Sequence, residues 1–221
     1  ADLFHLYPTD GYINNMRSNN CFGEVSSPKK TSSGGFSKYG PCSYPDSGAP
    51  TCFEPNDIYK GDFARTYFYM VTRYEDEIPT WYTNYGSKEG VSETLDGKKY
   101  PGLSSWQLKM LMEWSAKDPV SSDKEIPRNT AVYGIQNNRN PFIDYPGLEE
   151  YIWGSMKDVA FSYDNYQTPT GIVKITVPDS KIIRVHTIQG TLVRSANNYD
   201  EAIQGLSKGI YIINGKKVVI K

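Results

Sequence analysis

Apolar residues recur at three- and four-residue steps as far as Trp153 and at every second position beyond Gly171. The first spacing is that of a helix face and the second that of a strand face, so one chain must build two differently patterned parts. The charge changes with the pattern. Residues 1–168 carry a net −6 and residues 169–221 a net +5, which together give −1 for the 221 residues. A break of this kind marks a boundary. The expected organisation is α+β: a mostly helical domain over 1–160, a linker over 161–170 and a small all-β domain over 171–221. With 38% apolar and 22% charged residues, disordered, collagenous and coiled-coil chains are excluded. No apolar run approaches the roughly 20 residues of a membrane span.

The first part reads as a succession of capped elements. Asp2–Pro8 is predicted as a short strand, and Thr9 or Asp10 as the cap of a helix over Gly11–Ser18. Residues 26–52, rich in Gly, Pro and Ser, are predicted as loop. Asn56 or Asp57 caps a helix whose Ile58, Ala64, Tyr67, Phe68, Val71 and Tyr74 form a core-facing stripe. A second loop, Thr83–Gly102, leads to a helix over Ser104–Lys117 with Trp106, Met110, Leu111 and Trp114 inward. Ser122 and Glu125 form a capping box for a helix to about Ile135, with a kink at Pro127. Pro146–Trp153 is a last short helix. In the second part, Ile172–Val177, Ile182–Thr187, Thr191–Arg194, Gly209–Ile213 and Lys216–Ile220 are predicted strands of a β-sandwich, the last two joined by a primed turn at Asn214-Gly215. Three cysteines, Cys21, Cys42 and Cys52, leave two alternatives open: one loop disulfide between Cys42 and Cys52, or three free thiols.

The stretches DLFHLYPTDGYINNMRSN, GEV, CFEPNDIYKGDFARTYFYMVTRY and LMEWSAKDPVSSDKEIPRNTAVYGIQNNRNPFIDYPGLEEYIWG resemble, in order, the bacterial endonuclease I family, from Asp2 to about Gly154. The resemblance implies a ββα-metal nuclease that cuts DNA, and RNA as well, with one divalent cation: Mg²⁺, or Ca²⁺ or Mn²⁺ in its place. In the family an asparagine of a V/I-N-x-x-R-S-N stretch ligates that cation, which assigns the metal ligand to Asn14. Hard cations take oxygen donors, and an amide oxygen qualifies. Arg17, three residues on, shares the helix face and reaches toward a phosphate. The family's Glu-His-x-x-Pro motif, source of its general base and acidic ligand, does not occur here. The implied expectation is that this segment lies upstream of Ala1 and that the chain alone does not cut. The C-terminal stretch GLSKGIYIINGKKVVIK is similar to type IX secretion sorting domains, implying export to the periplasm, the cell surface or the medium, with the secretion machinery as a partner of residues 171–221. The expected state is a monomer.

Each candidate has a plainer alternative. His5, between Phe4 and Leu6, is the remaining catalytic candidate or a hydrogen-bonded structural histidine. Arg17 contacts phosphate or pairs with Asp10 or Glu24. Lys60 and Arg139 are predicted to contact nucleic acid, Arg139 from the tight polar loop QNNRNPFID, in which the family resemblance implies a glycine where Asn137 stands, and Asn tolerates the same left-handed conformation. Arg65 and Arg128 are expected to pair with Asp62, Glu54 or Glu125. A chain that binds nucleic acid without cutting it, and a surface-binding role for residues 171–221, are the rival readings.

Overall fold

A computed structural model describes residues 2–163, 183–187, 192–196, 199–213 and 216–220. The chain divides into two compact units, Ala1–Gly171 and Ile172–Lys221.

In the first unit the local capping chemistry works largely as read. Asp10 accepts from the amides of Tyr12 and Ile13 (2.8 and 3.3 Å) and opens α1 (Gly11–Arg17). Asn56 accepts from Ile58 N and starts a single 3₁₀ turn that runs into α2 (Lys60–Arg73). Then follow α3 (Ile78–Tyr85), α4 (Val91–Thr94), α5 (Ser105–Lys117), α6 (Glu125–Gln136), α7 (Pro141–Asp144) and α8 (Leu148–Ile152). Helix α2 packs along α5 and reaches α7, which buries Ala64, Phe68, Met110, Leu111, Trp114 and Phe142. Asn137, left-handed at φ 58°, ends α6.

Five local expectations are corrected. Asp2–Pro8 is not a strand: Asp2 accepts from Phe4 N (2.8 Å) and winds Leu3–His5 into a 3₁₀ turn. Residues 26–52 are not all loop, for β1 (Lys30–Thr31) and β2 (Lys38–Gly40) join β3 (Cys52–Glu54) in an antiparallel sheet of order β1-β2-β3. These strands are two or three residues long, too short to show a period. The predicted second loop is not all loop: its first three residues end α3 and Val91–Thr94 form α4; Pro79 sits in the first turn of α3, where its missing N–H costs nothing. Ser122 does not cap α6, whose N-cap position is Lys124 without a side-chain cap bond; the reciprocal pair lies one residue earlier, with Ser121 N donating to Glu125 (2.9 Å) and Glu125 N to Ser121 Oγ (3.1 Å). Pro127, also in a first turn, leaves that helix unbroken. The three cysteines are free thiols.

In the second unit, β4 (Ile183–Thr187), β5 (Leu192–Ala196), β6 (Gly209–Ile213) and β7 (Lys216–Ile220) form one antiparallel sheet of order β5-β4-β6-β7. A short helix, α9 (Tyr199–Ile203), was not anticipated. Its Ala202 joins Val185, Ala196 and Ile213 in a small core, so the described residues give a sheet with a helix packed on it. The predicted strand at 172–177 and the turn at Asn214-Gly215 lie outside the described residues.

Candidate nucleic-acid interface

The site is built on α1. Asn14 and Arg17 share one face of this two-turn helix, and Ser18 at φ 50° terminates it. Buried Asn20 anchors the end, donating to Arg17 O (3.0 Å) and accepting from Thr51 Oγ1 (2.9 Å). The helix is therefore held against the loop before β3, and its open face turns to a cleft of about 720 Å³.

Asn14 is exposed on the cleft wall. Arg17 is half-buried beside it, with its guanidinium carbon 4.7 Å from the centre of the Phe22 ring. Its hydrogen bonds are long, to Ser18 O (3.3 Å) and Tyr67 OH (3.4 Å), and its buried Nε has no partner among the described residues. The two carboxylates weighed as its partners are engaged elsewhere: Asp10 caps α1 and Glu24 accepts from Trp114 Nε1 (3.3 Å). Arg17 thus presents a cation without a counter-charge among the described residues.

His5 ends the 3₁₀ turn, its ring 6.2 Å from that of Tyr67. Desolvation against the cleft wall and then the Arg17 charge push its pKa below 6.5, with Asp2 opposing, so the imidazole is neutral near pH 7. His5, Leu6, Arg17 and Tyr67 also line a second hollow of about 810 Å³ whose other walls include Met70, Ile78 and Trp81. They form the ridge between the two spaces.

Two more cations reach the first cleft from beyond residue 120. Arg128, expected in an ion pair, instead donates to the carbonyls of Leu3 and Leu6 (2.8 Å each) and lies 4.1 Å over the Tyr7 ring. It holds the His5 turn in place. Lys124 lies 4.5 Å over the Tyr59 ring and 3.7 Å from Asp62. Burial, and secondarily the Glu125 charge, raise the Asp62 carboxyl to about 6. Arg65 behaves as read from sequence, its guanidinium forking onto Glu125 at 2.6 and 2.8 Å within the core.

Lys60 and Arg139 are not brought to the cleft. Lys60 pairs with Glu54 (2.9 Å) and Asp57 (2.7 Å) and covers Trp114. Arg139 forks onto Asp144 at 2.8 and 2.7 Å. Both cations already have carboxylate partners, so a phosphate would have to compete for them. Tyr67, read as core, is half-buried and faces the cleft, and Lys124 and Tyr59 were missed. An aromatic–cation pair 65 residues apart leaves no local trace, although Tyr59 stands within the family-like stretch.

A hard divalent cation requires several oxygen donors, carboxylates among them. On the cleft wall the chain supplies the neutral Asn14 oxygen, while Asp10 is spent on its helix cap and Asp62 lies beside Lys124. No cluster of three His, Cys, Asp or Glu side chains able to hold a metal occurs among the described residues. Asn14 offers a single neutral oxygen; the described residues of the cleft do not supply the carboxylates that would surround a hard cation with it.

A family profile described as Endonuclease I matches residues 1–147. The extracellular ribonucleases of Bacillus subtilis (strain 168) and Bacillus amyloliquefaciens are 36% and 37% identical to the chain over 157 and 158 residues, each covering 69% of this chain and 46% of the relative. Endonuclease-1 of Buchnera aphidicola subsp. Baizongia pistaciae (strain Bp) is 31% identical over 143 residues, 65% of this chain and 46% of its own length. The chain spans about half the length of the curated relatives it matches. No solved structure matches it.

Proposed function

The chain belongs to the endonuclease I family, and from that we propose that the protein hydrolyses phosphodiester bonds of DNA and of RNA, with its first unit supplying the phosphate-binding side of the active site. The observation that carries this reading is the uncompensated Arg17 guanidinium beside the exposed Asn14 amide on one cleft wall. A phosphate completes the guanidinium's bonding, since planar N–H groups match its oxygens two at a time. Arg128, whose hydrogen-bond partners are carbonyls, adds positive potential to the same cleft, whereas Lys124 there is paired with Asp62. We assign to Asn14 one ligand position of a divalent cation, Mg²⁺ or another hard ion, which when bound neutralises charge on the scissile phosphate.

The chain's own contribution is binding and orientation. Phe22 and Tyr67 fix the guanidinium, and the Arg128 clasp fixes His5, whose neutral imidazole can accept a proton from water. Without the Glu-His-x-x-Pro motif that the family resemblance implies, these 221 residues are proposed to hold a polynucleotide without cutting it efficiently. The relatives named extracellular ribonuclease support a secreted protein. The cationic second unit is proposed as its export domain, and the protein as a monomer; among the described residues no helix is long and apolar enough to cross a membrane.

Supercoiled plasmid and single-stranded RNA, incubated with this chain and with the complete gene product, each with Mg²⁺ or EDTA, test the reading. Cleavage by the complete product with Mg²⁺ alone, abolished by Asn14→Ala without loss of helical signal, is the expected result. Wild-type rates in Asn14→Ala refute the ligand assignment, and failure of the complete product to cut either substrate refutes the nuclease reading.

A further inference from the structure

The cleft that holds the cationic groups is also lined by an aromatic side chain that belongs to no core cluster among the described residues. Phe36 lines the same cleft as Asn14 and Arg17 and is 64% exposed. Its loop is tightly closed. Ser32 N donates to Ser37 O (2.9 Å), Ser37 N to Ser32 Oγ (2.8 Å) and Gly35 N to Ser32 O (2.9 Å). Gly34, left-handed at φ 77°, lets the ring lie against the backbone, where a Cβ would collide with it. The ring is thus held in position while much of its surface remains in water. A buried Phe serves the core and a lone exposed one usually serves nothing; an exposed ring in a pinned loop, inside a cleft lined by Arg17, Lys124 and Arg128, has the surroundings of a base-stacking site.

We propose that Phe36 is a stacking platform for one unpaired base of a single-stranded polynucleotide whose phosphates lie along the Arg17 and Lys124 side of the cleft. The proposal rests on the nucleic-acid reading above and deepens it by naming the strand class. In a duplex both faces of each base are covered by its neighbours, so the ring has nothing to stack on unless a base is first extruded. In a single strand the base face is available. Neighbouring Asn56 uses its oxygen to cap the turn before α2, and its amide N–H groups lie on the same cleft wall, able to meet a base edge. Tyr59, 39% exposed and covered by Lys124 on one side, is a second exposed aromatic lining the cleft.

Fluorescence anisotropy of the 221-residue chain in EDTA, where no cutting interferes, separates the contributions. Three labelled ligands are used: a thymidylate dodecamer, an abasic backbone of the same length, and a duplex dodecamer. Phe36→Ala, at an exposed position, leaves the fold intact. It is expected to weaken thymidylate binding about tenfold, to leave the abasic strand and the duplex unchanged, and to be rescued by Phe36→Trp. Equal losses for thymidylate and the abasic strand, or no loss for thymidylate, overturn the stacking role. If the abasic strand binds in a salt-dependent manner while Phe36→Ala has no effect, the stacking inference fails and the phosphate-binding reading stands. If no ligand binds, both fail.

Discussion

Replacing Arg17 by glutamine removes one positive charge from the cleft while keeping most of the side-chain length, and the structure fixes what should follow. Arg17 has no carboxylate partner among the described residues, so its removal strands no anion and the change reports on the ligand alone. Each phosphate neutralised on duplex DNA contributes about −0.9 to the slope of log affinity against log salt, and about −0.7 on a single strand. Losing one such contact lowers duplex affinity about eightfold at about 0.1 M salt, and the wild-type and variant lines converge near 1 M. The same substitution relieves His5. Arg17 is the second cause of its lowered pKa, after desolvation, so in Arg17→Gln the imidazole takes up its proton at a higher pH, closer to 6.5. Anisotropy across a salt series in EDTA gives the slope. Proton NMR titration gives the histidine, since the chain holds only His5 and His186 and His186→Gln assigns the signal. Arg17→Lys retains the charge and should retain the slope. An unchanged slope in Arg17→Gln, with an unmoved His5 pKa, would refute the placement of Arg17 as a free cation of the cleft.

Three further outcomes follow from groups beneath and beside the cleft. Glu125→Gln removes the bidentate carboxylate from the fully buried Arg65, leaving it only the more distant Asp62 at 4.0 Å, and should destabilise the first unit by about 3 kcal/mol, lowering its melting temperature by roughly 10 °C; a loss under about 1 kcal/mol by calorimetry contradicts a buried pair. Asp62 has a folded-state pKa near 6 against 3.8, so its contribution to stability is full below pH 4 and is lost as pH rises to 6. Asp62→Asn should therefore match wild type at pH 4 and exceed it by up to about 3 kcal/mol at pH 7, measured by urea unfolding; equal stabilities at both pH values count against that shift. Cys42, whose thiolate is favoured first by the hydrogen bond from Cys52 and lies near pKa 6, should alkylate with iodoacetamide at pH 7 well before Cys21, which is pushed up to about 12 chiefly by burial. Peptide mass spectrometry showing Cys21 modified first would reverse that order.

What the sequence revealed was whatever is local. Asp10 as a cap and the stripes of α2 and α5, apart from Ile58, which precedes α2 and is exposed, depend on neighbours within a turn or two, and Asn14 and Arg17 share a face because three residues separate them. Arg65 was legible because its expected partner types stood in the same family-like stretches. The failures are of two kinds. In β1 and β2 the ordered segments are shorter than the pattern needed to recognise them. At Asp2–Pro8, alternation suggested a strand, but Asp2 also accepts from the hydroxyls of Tyr69 and Tyr74 (2.7 and 2.9 Å) and from Gln136 (3.1 Å), and these distant donors help settle the turn. Arg128 was misread for the same reason: its partners are carbonyls, which every residue possesses and no sequence distinguishes.

The grip of Arg128 on Leu3 and Leu6, more than 120 positions earlier, also has a bearing on biogenesis. The turn that carries His5 and the guanidinium that clasps it are separated by more than 120 residues of synthesis, so this contact closes only after α6 has been made. Until then the ridge between the two hollows lacks its clamp, and its shape is a late product of folding rather than a local one.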